Sequence, residues 1–249
     1  MTRPSRPPVD PLYEYTPSRD RVIEYGEVFT PSGLVRDMLD LPGVRDECLR
    51  IDARFLEPAC GDGAFLAEIL RRRIERIGDM HPKSQQHPWE RDALVGLANL
   101  YGIEKQHDHV QRCRDRLFIL FEDAYFARFG KKCQPAVLGA ARHLVTANIF
   151  HGDALAMTTV ADLVLPAKPL KFTEWSMLPR GRFKRKRFTY EELLTHQSGA
   201  GTGPDLFGST REPIMSDDGK PVFIAKPVDE PDWPLVHYSK LADEPYPLT

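Results

Sequence analysis

Long apolar runs are absent from this chain. No stretch approaches the roughly 20 residues that a membrane-spanning helix needs, and Met1 to Asp10 has no apolar core of the kind a secretory leader carries. The expectation is a cytoplasmic protein with no membrane partner. Cysteine is scarce as well. Cys48, Cys60, Cys113 and Cys133 form no C-x-x-C pair, which argues against a disulfide framework and against a zinc site. His81, His87, His107 and His109 lack metal-ligand spacing with helical support, so they read as surface histidines and no metal is expected. Net charge is nearly absent too, at −2. A chain so balanced has no global pull toward polyanions, and any nucleic-acid contact must come from a local patch.

Proline is in excess. The 22 prolines crowd both ends and the segment from Pro166 to Pro179, where irregular arms are expected instead of packed elements. Residues 1–20 read as an extended arm. Residues 21–165 read as one α/β domain, and residues 166–249 as a basic, proline-rich extension. Gly199, Gly201 and Gly203 mark a flexible linker within that extension.

The middle of the chain has a clear rhythm. Thr30 reads as the N-cap and Pro31 as the first residue of a helix whose apolar stripe is Leu34, Val35, Met38 and Leu39. A strand over Ala53–Glu57 leads into a helix with Phe65, Leu66, Ile69, Leu70, Ile74 and Ile77 on one face, ending near Gly78. A polar loop spans Asp79–Pro88, and Trp89, Ala93, Leu94, Leu97 and Leu100 repeat at helical spacing. A strand over Leu100–Glu104, a helix over Val110–Phe121, a helix over Ala136–Val145 and a strand over Asn148–His151, which runs into Gly152-Asp153, come next. Strands alternating with helices predict βαβ units, a parallel sheet, and ligand binding at the strand C-termini. Beyond Leu155 the pattern fades. Asp162–Leu165, Val222–Ala225 and Pro234–Tyr238 are candidate strands, and Tyr190–His196 a short helix.

The most informative segment is Glu57-Pro58-Ala59-Cys60-Gly61-Asp62-Gly63-Ala64-Phe65-Leu66. An acid at a strand end, a glycine turn and a helix start together make a pocket for a nucleoside cofactor. Gly61 and Gly63 admit the ligand close to the backbone, and the helix N-terminus offers unpaired N–H groups. The spacing is neither G-x-G-x-x-G nor a phosphate loop. Two further strands end in Glu104 and Asp153. Glu57 suits an ammonium, Glu104 a ribose diol, and Asp153 an adenine amino group.

These residues resemble the motifs of S-adenosylmethionine-dependent adenine-N6 DNA methyltransferases. Residues 57–66 resemble motif I, Gly102-Ile103-Glu104 the ribose-binding motif, and His151-Gly152-Asp153-Ala154-Leu155 the adenine-binding motif. Gly26-Glu27-Val28-Phe29-Thr30-Pro31 is similar to the G-x-x-x-T-P motif that precedes motif I in the gamma-order enzymes of restriction–modification systems. The resemblance covers residues 22–155. It implies a Rossmann-like class I methyltransferase fold with a parallel central sheet, shortened or divergent in its C-terminal half. It implies S-adenosyl-L-methionine as cofactor, held by Thr30, Pro31, Glu57, Pro58, Ala59, Gly61, Gly63, Phe65, Glu104 and Asp153. DNA is the implied acceptor, with a restriction or specificity subunit as further partner, in a restriction–modification or phage-defence setting.

One family element is missing. Asn/Asp/Ser-Pro-Pro-aromatic should cage the target amine, yet the only asparagines are Asn99 and Asn148, and neither precedes a proline. Asp10-Pro11-Leu12-Tyr13 lies before the Thr-Pro motif and reads as coincidence. Pro169 to Trp175 occupies the expected place, with Trp175 read as a buried anchor; no catalytic residue is assigned. A non-catalytic subunit that binds cofactor and nucleic acid and needs a partner is the rival reading, and an RNA or protein methyltransferase a third. Finally, Arg180, Arg182, Lys184, Arg185, Lys186 and Arg187 place six cations in eight positions, interleaved with Phe183, Phe188 and Tyr190. Such a segment can neutralise phosphates and stack on bases; its plain alternative is a solvated basic loop.

Overall fold

A computed structural model describes residues 30–161, 165–198, 214–215, 221–222, 227 and 233–244. The protein is α/β, with a four-stranded, mostly parallel sheet and a small antiparallel sheet beside it. Strands β1 (Phe55–Glu57), β2 (Leu100–Glu104) and β3 (Ile149–Asp153) run parallel in that order. The two-residue β4 (Thr158–Thr159) closes the far side antiparallel to β3. Each parallel connection contains two helices. Helices α1 (Ser32–Leu39) and α2 (Val44–Leu49) precede β1; α3 (Ala64–Met80) and α4 (Gln86–Ala98) join β1 to β2; α5 (His107–Phe129) and α6 (Pro135–Asn148) join β2 to β3.

The expected helices all form, and most run longer than the periodicity indicated. The expected polar loop over Asp79–Pro88 shrinks to residues 81–85, because α3 continues to Met80 and α4 begins at Gln86. The first helix starts one residue late: Pro31 is its N-cap, and Thr30 lies outside. Half of that helix's apolar stripe is buried. Val35 and Leu39 face the core, while Leu34 and Met38 are exposed. What fixes α1 to α3 is Arg72, which donates to Asp40 Oδ1 at 2.8 Å and to the Leu39 carbonyl at 3.2 Å. Arg72 is itself oriented by Glu68, a fully buried carboxylate that also binds Arg71. Buried charge is tolerable because every oxygen is paired.

Small residues let helices lie directly on strands. A Cβ on Gly102 in β2 would fall 2.8 Å from Cys60 Sγ and 3.1 Å from Leu66 Cδ1, so β2 and α3 touch through glycine. Below, Trp89 of α4 stacks on Tyr125 of α5 with centroids 5.6 Å apart, and Phe121 and Phe129 close the cluster.

The segment after residue 166 corrects the expectation of an irregular arm. Lys171–Leu178 (β5) and Arg182–Thr189 (β6) form an eight-pair antiparallel hairpin, and Val236–His237 adds a short third strand. Thr173, Trp175 and Met177 pair with Arg187, Arg185 and Phe183, so these six share one face. The hairpin is locked onto the parallel sheet. Phe172 packs on Tyr101 of β2 and Phe150 of β3, at 5.8 and 4.6 Å between centroids. Tyr101 donates its hydroxyl to the Thr173 carbonyl at 2.9 Å, and Trp175 Nε1 donates to Asn148 Oδ1 at 2.8 Å. Trp175 is thus the buried anchor expected of it, but on a strand. Helix α7 (Tyr190–Ser198) forms where a short helix was expected.

The candidate strand at Asp162–Leu165 falls mostly on residues 162–164, outside the described residues. So do Val222–Ala225 beyond Val222, the N-terminal arm, Asp10–Tyr13, the Gly26–Phe29 part of the Thr-Pro motif, and the linker glycines. Ile214–Met215 (β7) does pair with Pro221–Val222 (β8).

Candidate functional site

The three acids read from the sequence end three adjacent parallel strands, on one edge of the sheet. The turn after β1 reaches over β2: Cys60 N–H donates to the Ile103 carbonyl at 3.0 Å, and Gly63 N–H returns to the Cys60 carbonyl at 2.8 Å. Gly61 and Gly63 both adopt positive φ, +52° and +87°. Gly63 has no room for a side chain either, since a Cβ would lie 2.6 Å from Cys113 Sγ. Its left-handed conformation caps α3.

Glu104 joins the pieces. Its Oε2 accepts from Gly61 N–H at 2.9 Å, and its Oε1 accepts from Gln106 N–H at 2.7 Å. One carboxylate therefore ties the glycine turn after β1 to the turn after β2, 43 residues apart in sequence. Behind it sits His109, whose Nδ1 is 4.0 Å from Oε1. Contrary to the surface reading, His109 is buried.

Glu57 is half-buried, and burial pushes its carboxyl above the usual range while the Ala59 backbone N–H draws it back. Pro58 and Ala59 are exposed at the turn, and Phe65 is half-buried against the core. Asp153 already has partners. Its Oδ2 accepts from Lys105 Nζ at 2.9 Å, and its Oδ1 accepts from the N–H groups of Leu155 and Ala156 at 2.9 and 3.1 Å. The Lys105 bond and these N–H groups hold its carboxyl below the ordinary value. Thr30 and Pro31 head α1, on the flank of α3, and take no part in the bonds that join Gly61, Glu104 and Gln106.

A feature of the turn that the sequence did not reveal is Asp62. It is buried and held by Arg116 of α5 through two bonds of 2.9 and 2.8 Å. The pair spans 54 positions, and no local pattern links them. Cys60 lies beneath the same turn. Its hydrogen bond to the Cys113 side chain, together with burial, pushes its thiol well above the usual range, so it is no nucleophile at neutral pH.

The basic segment divides by strand parity. Arg182, Lys184 and Lys186 are exposed, as is Arg180 at the hairpin tip, whereas Phe183, Arg185 and Arg187 are buried. Phe183 packs edge-on against Trp175 with centroids 5.7 Å apart, so its expected role of stacking on a base is corrected. Arg185 binds Glu244 at 3.0 Å and the Pro234 carbonyl; it and Arg187 secure the inner face and are not free for phosphate. In the stretch expected to hold the acceptor motif, Phe172 and Trp175 are buried and Glu174 binds Arg54.

Among the described residues no cluster of His, Cys, Asp or Glu has metal-binding geometry, and no helix is long and apolar enough to cross a membrane. A concavity of about 560 Å³ lined by Leu49, Arg50, Arg76 and Asp92 lies at the opposite, N-terminal end of the strands, away from the acids. Comparison with known proteins finds no matching family model, no matching curated protein and no matching solved structure.

Proposed function

We propose that the chain is an S-adenosylmethionine-dependent DNA methyltransferase acting on adenine N6, with a Rossmann-like class I fold over residues 21–165. The observation that carries this reading is the Glu104 carboxylate bound to the Gly61 N–H, which unites two motif residues at the edge where α/β sheets bind ligands. The residues fit the cofactor. Each carboxylate has about four acceptor positions, and Glu104 uses two, leaving others for a ribose diol. Gly61, at positive φ, carries no Cβ at the turn where the cofactor would lie, whereas Gly63 is glycine because a Cβ would strike the buried Cys113 beneath that turn. Glu57, half-buried at the end of β1, would hold the ammonium group. Asp153 would accept from the adenine amine after Lys105 swings aside, which costs little because exposed ion pairs are weak. The bound cofactor supplies a methyl group activated by its sulfonium. The chain's share is positioning: fixing that group against a flipped base and excluding competing geometries.

A second reading has its own support. In the expected acceptor stretch Leu170, Phe172, Thr173 and Trp175 are buried and Glu174 is ion-paired, so none of these side chains is placed to cage an amine. On this reading the chain binds cofactor and nucleic acid, and a partner such as a restriction or specificity subunit completes the acceptor site.

Titration calorimetry with S-adenosylmethionine tests the shared part. Glu104→Ala removes a charge-assisted acceptor and should weaken binding by about 1.5–3 kcal/mol, roughly 10- to 150-fold. A parent chain that binds no cofactor refutes both readings. Transfer of tritiated methyl to unmethylated DNA by the chain alone then separates them: turnover supports the first, and turnover only with a partner supports the second.

A further inference from the structure

We infer that the outer face of the β5–β6 hairpin is a track for the phosphodiester backbone of nucleic acid, engaged through Arg182, Lys184 and Lys186 by charge and not by base stacking. The inference rests on the proposed function for its nucleic-acid substrate, and it deepens that reading by placing the substrate's path. The three cations alternate along β6 with the buried Phe183 and Arg185, so they project together from one face. Antiparallel strands rise about 3.4 Å per residue, which spaces successive cations by about 6.8 Å. A row of roughly 14 Å therefore offers three evenly spaced cations to the phosphates of a backbone that runs along it.

The row is held rigid and, among the described residues, has no ion pair. At the hairpin tip, Tyr238 N–H donates to the Gly181 carbonyl at 2.9 Å, and a Cβ on Gly181 would sit 2.8 Å from the Tyr238 ring. Arg182 and Phe183 pair with β9 (Val236–His237). Inside, Arg185 is fixed by Glu244. Across the hairpin the neighbours of Lys186, Lys184 and Arg182 are Glu174, Ser176 and Leu178. The single acid among them, Glu174, is taken by Arg54, and no ion pair among the described residues involves Arg182, Lys184 or Lys186. Exposed aromatic rings are missing from the row, since Phe183 is sealed and Phe172 and Phe188 are buried. That removes stacking as a means of recognition, and it leaves the half-buried Leu178 beside the row as too small an apolar patch to enter a lipid surface. The balance of −2 over the whole chain makes the local patch decisive.

The test is fluorescence anisotropy of the full chain with a labelled single strand and a labelled duplex across a salt series. The parent's log–log slope should become shallower by about 2 for the single strand and about 2.7 for the duplex in Arg182→Gln/Lys184→Gln/Lys186→Gln. Relative to about 1 M, at about 0.1 M salt that is a loss of affinity of roughly a hundredfold for the single strand and about five hundredfold for the duplex. Lys184→Gln alone should give about a third of the change, and thymine and adenine homopolymers should bind alike. Lys131→Gln/Lys132→Gln removes two exposed cations elsewhere and should leave the slope unchanged. A parent that binds neither nucleic acid, an unchanged slope in the triple variant, or binding to anionic vesicles in preference to nucleic acid overturns the inference. Failure of the methyltransferase reading is distinct: it appears as absent cofactor binding with these salt slopes intact.

Discussion

Gly63→Ala is the sharpest test of the turn. The residue sits at φ +87°, and an added Cβ would lie 2.6 Å from Cys113 Sγ and 3.3 Å from Cys113 Cβ. Two penalties arise from different causes. A left-handed conformation costs an L-residue roughly 1–2 kcal/mol, and overpacking a tight core site costs about 1–3 kcal/mol. Together they predict about 2–5 kcal/mol of destabilisation in urea unfolding at an unchanged m-value. The two terms can be pulled apart. Cys113→Ala removes the sulfur that the new methyl strikes but cannot relax φ. In the Cys113→Ala background, Gly63→Ala should therefore cost about 1–2 kcal/mol less than in the parent, a coupling well within the range of contacting residues. The reasoning fails if Gly63→Ala costs no more than the ~0.5 kcal/mol of an ordinary surface change, or if the two substitutions are additive.

Arg116→Met should destabilise by about 3–5 kcal/mol, because it strands the buried Asp62 carboxylate; Asp62→Leu/Arg116→Met should recover most of that. A single-variant loss below about 1 kcal/mol would show that the pair is solvated. His143 is buried edge-on against Trp175, between α6 and the hairpin, and burial first, then Arg185, lowers its pKa from 6.5 to about 4, with Glu244 acting the other way. The folded state keeps it neutral while the unfolded chain takes the proton. Its contribution is thus complete above pH 6.5 and declines as pH falls toward 4, by roughly 2–3 kcal/mol over that window. His143→Leu should flatten the fall in urea midpoint between neutral and mildly acid pH, and an equally steep fall in both proteins refutes the assignment.

The sheet was legible because each parallel strand has a distinctive neighbour in sequence. A glycine turn after Glu57, helical spacing from Val110, and a proline at the start of α6 fix β2 to the residue and β1 and β3 to within about two residues at their ends. The hairpin was not. On its inner face β6 carries Phe183, Arg185 and Arg187, so arginine stands at two of three positions where alternation calls for an apolar side chain. The charge run hid the period of two. A signal was present nonetheless: Pro179-Arg180-Gly181, with Arg180 and Gly181 at φ +63° and +69°, is a three-residue hairpin loop with glycine in a left-handed position. The prolines that argued for an irregular arm sit at the ends of β5, where a missing N–H costs nothing.

The site shows a different limit. Parallel topology alone brings Glu57, Glu104 and Asp153 to one edge, so residue type and order sufficed to find them. What each carboxylate does there depends on groups that no local pattern connects to it: Gly61 on Glu104, Arg116 on Asp62, Lys105 on Asp153. On the proposed cofactor reading, those partners distinguish Glu104 from Asp153. On that reading Glu104 is the preorganised member, because both its oxygens are already held by the backbone N–H groups of Gly61 and Gln106. Asp153 must first give up Lys105, whose side chain is 68% exposed and free to move into water. A ligand that engages Glu104 and Glu57 but not Asp153 would leave the Lys105 pair standing, whereas one with an adenine-like amine would release it. If the cofactor reading holds, the two acids divide the work: β2 would supply a ready acceptor, and β3 one that the ligand's base must uncover.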